Sequence, residues 1–284
     1  MNKKETGELL YLFYRKRSSS FLANIYKASI TAETRDIHRA RLDVKKIFAL
    51  YGLLEILNPD AFSKKTGDDI FMPLYQQAGK IREMQVNFLL LTRFGMPDET
   101  FRSFGIWLIR QEKNALKQFI RVVQDFREKD LEDAGEAIKN ICYSNSARKI
   151  FIKTEAYFLK RAEKICSLQA AEPGEKELHK IRKNLKAMST IAVLAYSVKA
   201  RNRLDMIITG LNKSEMMIGD WHDHVVLKAA IDRFLKSKSR VTEAERNNLT
   251  ELRQKLVDTS QNLVLHFMPE VSKIVETILA ERKQ

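Results

Sequence analysis

Apolar residues recur at steps of three and four along almost the whole chain, the spacing that lines up side chains on one side of an α-helix. The pattern predicts helices over residues 6–30, from 34 to Asn58-Pro59, and over 70–94, 99–127 and 130–142. It predicts a second run over 147–169, 175–200, 202–236 and 242–281. The breaks fall where turn-forming residues gather, at Gly67-Asp68-Asp69, Gly95-Met96-Pro97-Asp98 and Glu172-Pro173-Gly174. With 10 Gly and 5 Pro in 284 residues, the chain lacks the punctuation a many-stranded protein needs, and the expected class is all-α. No Gly/Ser-rich or Pro-rich linker divides it, so it is expected to fold as one body.

The helical pattern contains a repeat. Arg35, His38, Arg41 and Lys45 are followed 141 positions later by Lys176, His179, Arg182 and Lys186, and every aligned pair is basic. The apolar positions repeat in the same register: Ile37, Ala40, Val44, Ile47, Tyr51 and Leu54 fall opposite Leu178, Ile181, Leu185, Met188, Ala192 and Ala195. A second matched segment comes 41 residues after His38 and 40 after His179: Ala78-Gly79-Lys80-Ile81-Arg82-Glu83 and Ile218-Gly219-Asp220-Trp221-His222-Asp223. Beyond it, Arg93-Phe94 corresponds to Arg233-Phe234. Two segments in the same order at the same spacing point to a duplicated helical unit, with repeats of about residues 1–142 and 143–284.

Packing accounts for the apolar stripe but not for the basic one. Like charges on neighbouring turns oppose a helix by about 0.2–0.5 kcal/mol per pair. His38, Arg41 and Lys45 advance by three and then four residues and so rise along one face over about 10 Å. A solvated helix face accounts for one such row alone, as it does for Lys113, Lys117 and Arg121, whereas two matched rows favour an anionic ligand. If the halves pack about a pseudo-twofold axis, the rows line a shared groove suited to a long anion, Arg offering a planar donor fork and Lys a mobile point charge. Lys183 stands beside the second row, and the terminal Arg282 and Lys283 belong to neither.

Charge and cysteine usage fit that reading. The net charge is +14, with +5 up to Cys142 and +9 beyond it, so the excess is no tail and suits a polyanionic partner. Cys142 and Cys166 are too few for a disulfide scaffold and lack metal-ligand spacing. No apolar run approaches a membrane span, and the Leu9–Phe13 stretch is short and has its charges after it rather than before, so a cytoplasmic location is expected.

Candidate chemistry is sparse. His222 and His224 are two residues apart and so leave a helix in different directions, which argues against a metal site. Arg82-Glu83 and His222-Asp223 read as a cation held beside a carboxylate. No phosphate-binding glycine loop, dinucleotide fingerprint, nucleophile elbow or paired-carboxylate signature is present, so no catalytic residue and no cofactor are expected.

These elements resemble the CHAD family, the conserved-histidine α-helical domain, whose repeated helix reads His-x-x-Arg-x-x-x-Arg/Lys and is followed by Gly-x-x-Arg/His-Asp-x-Asp-Val. The matching residues are His38, Arg41, Lys45, Lys46 and Gly79 to Val86, then His179, Arg182, Lys186 and Gly219 to Val226. The resemblance covers essentially the whole chain. It implies a single domain of two antiparallel four-helix bundles related by pseudo-twofold symmetry, and a basic groove or pore that binds inorganic polyphosphate; with no catalytic signature present, binding without turnover is expected. The site residues it implies are His38, Arg41, Lys45, Lys46 and Arg82 from the first repeat and His179, Arg182, Lys186 and His222 from the second; Arg35, Lys176 and Lys183, read from the basic rows, complete the candidate set. Nucleic acid is the disfavoured alternative partner, a phosphate-ester or phosphoanhydride hydrolase the less favoured one, and association with polyphosphate granules is a further expectation. The chain departs from the family pattern at Phe48, Glu83, Gln85, Ala187, Ser189 and Val225, which bears on affinity and chain-length preference.

Overall fold

In the computed structural model the described residues are 2–94, 98–170, 172–198, 202–237 and 241–280. Among them the chain forms nine α-helices and a short 3₁₀ turn, with no strand. The helices are α1 (Lys3–Thr31), α2 (Thr34–Leu57), α3 (Lys64–Arg93), α4 (Arg102–Gln124), α5 (Glu128–Tyr143), α6 (Ala147–Gln169), α7 (Glu175–Val198), α8 (Asn202–Lys236) and α9 (Glu243–Leu279). The expected stop at Gly95-Met96-Pro97 lies outside the described residues.

Local chemistry starts several of them. Asn2 caps α1 by accepting from the Glu5 N–H while the Glu5 side chain returns to the cap, satisfying two otherwise unpaired donors. Ser146 and Thr242 accept from the third amide of α6 and α9. One boundary differs from expectation: α3 begins at Lys64, before Gly67-Asp68-Asp69, and carries Pro73 inside it. Ser63 stands at its N-cap in extended backbone, without a side-chain hydrogen bond to the first turn.

Each half assembles its helices in the same order of neighbours. In the first, α1 packs on α2, α2 on α3, α3 on α4, and α4 and α5 on α1; in the second, α6 packs on α7, α7 on α8, α8 on α9 and α9 on α6. A break after Gln124 splits the fourth member of the first half, where the second half keeps one 37-residue helix. The halves meet through α2 against α7 and α6, and α3 against α8. One core cluster runs through both, from Leu10, Tyr51 and Phe71 to Leu185, Trp221 and Phe267. A second, including Phe104, Leu108, Phe234 and Leu252, joins α3 and α4 to α8 and α9. All twelve repeated apolar positions of α2 and α7 are buried. The stripe therefore anchors α2 and α7 in the middle of the molecule, which leaves the adjacent basic rows at the seam between the halves.

Candidate anion-binding site

Three residues of each row reach that seam. Lys45 lies within Coulombic reach of Arg41 on its own helix, of Arg82 on α3 and of Arg182 on α7, and Lys186 within reach of Lys45, Arg41 and Arg182. Burial, and then these like charges, hold Lys45 below the ordinary lysine range. The same causes, opposed by Glu215 at 3.9 Å, bring Lys186 down to about 8. Arg41 and Arg182 are lowered too, by burial first. Cations thus stand close enough to repel one another in a half-buried place, a costly arrangement in the absence of an anion.

Each half steadies its row with a different partner. The Arg41 guanidinium lies 4.3 Å from the Tyr75 ring centroid and donates to the Tyr75 carbonyl at 2.5 Å. In crossing α3 it passes Gly79, where a Cβ would come within 2.7 Å of Arg41 Nη1. The repeated glycine therefore has a physical reason in the first half. At Gly219 a Cβ would meet nothing within 4 Å, and Arg182 instead lies by Asp223 and Glu215. Tyr75 and Glu215 stand one helical turn before the two glycines and both contact a row cation, so a repeated position was present in the sequence, disguised by the change from phenol to carboxylate.

A second repeated device also escapes sequence reasoning. Arg17 on α1 donates to the buried Asp43 of α2 at 3.2 Å, and Arg161 on α6 donates to the buried Asn184 of α7 at 2.8 Å. Asp43 and Asn184 are again 141 positions apart. In each half an arginine of the preceding helix ties itself to the row helix and lines the same groove as its lysines. Asp43 compensates the charge of Arg17, while the neutral Asn184 leaves that of Arg161 in place.

The histidines are neutral members of the cluster. His38 is held below its ordinary value by burial and by Arg82, Lys45 and Arg41. His179 is lowered by burial, with Glu175 at 3.8 Å opposing, and its ring packs 5.0 Å from Trp221 and 5.2 Å from His222. His222 is pushed down to about 3, by burial first and then by Arg182, His179 and Lys186, and its Nδ1 is buried without a hydrogen-bond partner. His224 goes elsewhere: Nδ1 meets the Asp220 carbonyl at 2.7 Å and the ring stands edge-on to Phe94. The two-residue spacing does separate them.

Other expected site residues are less central. Arg35 is exposed and pairs at 3.9 Å with Asp36 beside it. Lys176 is exposed in the first turn of α7, and Lys183 is exposed with His179 and the groove beside it. Lys46 faces Arg17 and Asp43 at the groove edge. Arg82 reaches His38 and Lys45, but Glu83 does not orient it; its carboxylate accepts instead from Arg233 of α8 and so joins the halves. Arg282 and Lys283 lie outside the described residues.

The comparisons with known proteins speak to the fold. No protein-family model matches the sequence, and no curated protein matches it. A crystal structure of the CHAD domain from the plant Ricinus communis is similar over 97% of this chain and 91% of that chain, with a TM-score of 0.71 and 13% sequence identity. At that identity the likeness is one of fold.

Proposed function

We propose that this chain, which has the fold of a CHAD domain, binds inorganic polyphosphate in the seam between its halves and does not turn it over. The observation that carries the reading is the meeting of Arg41 and Lys45 with Arg182 and Lys186, two rows 141 positions apart in sequence whose charges depress one another in a half-buried seam. Burying like charges together costs free energy that a linear polyanion returns. Arginine forks suit pairs of non-bridging phosphate oxygens, and lysines follow the chain as point charges. Arg82 extends the contact on the α3 side and Lys183 on the α7 side. Neutral His38, His179 and His222 donate from one ring nitrogen, and a phosphate beside them favours the doubly donating form. The nearby carboxylates support binding over turnover, because Asp223 and Glu215 are engaged by Arg182 and Lys186.

No helix among the described residues is long and apolar enough to cross a membrane. A cytoplasmic location and association with polyphosphate granules belong to the same proposal. So do the duplication and the pseudo-twofold relation, which the matching order of helix neighbours supports.

The test is a titration, at fixed salt, with polyphosphate of several lengths, single-stranded DNA and duplex DNA. Polyphosphate should bind more tightly than DNA of matched charge, because its charges are closer together than phosphates spaced ~3.4 Å along each DNA strand, and no alternation of basic and aromatic residues provides base stacking. Equal affinity for DNA would contradict the preference. Incubation with polyphosphate and Mg²⁺ should release no phosphate above a buffer control, and turnover lost in His222→Ala would replace binding with catalysis.

A further inference from the structure

The groove between the halves changes character along its length. It encloses about 750 Å³ and is walled by residues of α1, α2, α3, α6, α7 and α8. On α2 the lining runs from Lys45 and Lys46 to Phe48, Gly52 and Ile56; on α7 it runs from Lys183 and Lys186 to Ala187, Ile191 and Val193. Both helices make this change in the same direction. Lys45 is within Coulombic reach of Lys186, and further along, a Cβ on Gly52 would stand 3.8 Å from Ile191 Cδ1. The helices thus stay side by side from their cationic to their apolar segments.

A polyanion seated on the rows finds no further lining cation on α2 past Lys46 or on α7 past Lys186. Phe48, Ala187 and Ser189 line the groove there, and Glu55 adds a carboxylate. The hydroxyls of α7 there are already used: Thr190 donates to the Lys186 carbonyl and Ser189 to Asn212 Oδ1. The other cationic donors in the lining stand on α1 and α6, where Arg17 is committed to Asp43, and Arg161 to Asn184 and the Tyr157 ring 4.8 Å away, so the α2 and α7 wall beyond the lysines suits hydrocarbon better than a nucleobase, whose ring edges need partners. The apolar surface is also open, with Val193 50% exposed. The volume falls within the roughly 300–1,000 Å³ typical of small-molecule sites, which are largely apolar with a few placed polar groups.

We propose that this groove binds an isoprenoid diphosphate, its anhydride head on the lysines of α2 and α7 and its chain along the apolar segments that follow them. The proposal rests on the rows being a phosphate site and adds a hydrocarbon component to the ligand. Each buried CH₂ multiplies affinity by roughly four, so covering even two or three carbons gives a preference on the order of tenfold or more.

Calorimetric titration of the full chain with farnesyl diphosphate, inorganic pyrophosphate and farnesol tests it, with long-chain polyphosphate measured alongside. Farnesyl diphosphate should bind at least about tenfold more tightly than pyrophosphate. Val193→Asp should remove that advantage and leave polyphosphate affinity at the starting value. Ala187→Lys, which extends the cationic row, should reduce the farnesyl preference while strengthening long polyphosphate. Equal affinity for farnesyl diphosphate and pyrophosphate, with polyphosphate still bound, overturns this proposal and leaves the polyphosphate reading intact. Farnesol binding as tightly as its diphosphate also overturns it, since the head would then contribute nothing. If none of the three phosphate compounds binds, both readings fail.

Discussion

Lys186 is the side chain through which solution conditions should be felt most directly. Its folded value of about 8 lies below the ordinary 10.5. Between those values the unfolded chain holds the extra proton, so stability should rise with pH across that window and the contribution should be absent above it. Ligand binding has the opposite sense. A bound phosphate raises the lysine's pKa, so binding takes up a proton above pH 8, and affinity should be level below about 8 and decline above it. Calorimetry in two buffers of different ionisation enthalpy reads that uptake; no uptake at pH 8.5 would mean that Lys186 does not meet the anion. His222, brought down to about 3, should destabilise the fold as pH falls from about 6.5 toward 3, because the unfolded chain gains the proton first. The glycines give a second contrast. Alanine is favoured over glycine in a helix by up to about 1 kcal/mol, so Gly219→Ala, with open space around it, should raise the melting temperature. Gly79→Ala must displace the Arg41 guanidinium, so it should weaken polyphosphate binding whatever it does to stability. Equal binding by the two variants would show that Arg41 does not need its path across α3.

Individual helices are tied across the halves by polar contacts that hydrophobic periodicity does not reveal. The buried carboxylate of Glu245, in the first turn of α9, accepts from the Ser103 and Phe104 amides at 2.8 and 3.1 Å and so caps α4 from the other half. Glu245→Ala should cost about 1–3 kcal/mol in denaturant unfolding, because two amides lose their acceptor, while polyphosphate affinity stays unchanged. A loss of affinity as large as the loss of stability would mean that the seam is not held independently of this cap. Helix limits themselves were largely legible: α6 spans the expected 147–169 and α8 the expected 202–236, because their apolar steps are uninterrupted. The start of α3 was not, because glycine and two aspartates are turn residues by local propensity, and the helix continues through them.

At the scale of the whole molecule, what the sequence marked of the candidate site were its cations, since repetition of type and spacing picks out residues without any knowledge of the fold. It did not show what holds them. Tyr75 is 34 residues from Arg41, and Glu215 matches Tyr75 in position but not in chemistry. Arg17 and Arg161 act through Asp43 and Asn184, a charged acceptor in one half and a neutral one in the other. The exposed Arg35 and Lys176 show the converse, since a repeated position need not reach the seam. The central claim is that one anion site is built from both halves, and long-chain polyphosphate titrated at fixed salt against three double variants tests it. Arg41→Ala with Lys45→Ala removes the first row, Arg182→Ala with Lys186→Ala the second, and Lys113→Ala with Lys117→Ala removes the same charge from the exposed face of α4. Circular dichroism should show all three folded. The row variants should lose comparable affinity, roughly 1.5–3 kcal/mol for each charged contact before compensation, and less with short chains than with long ones that bridge both rows. The α4 variant should bind nearly as the unaltered chain does. If it weakens binding as much as the row variants do, the ligand responds to net charge and the shared site does not exist.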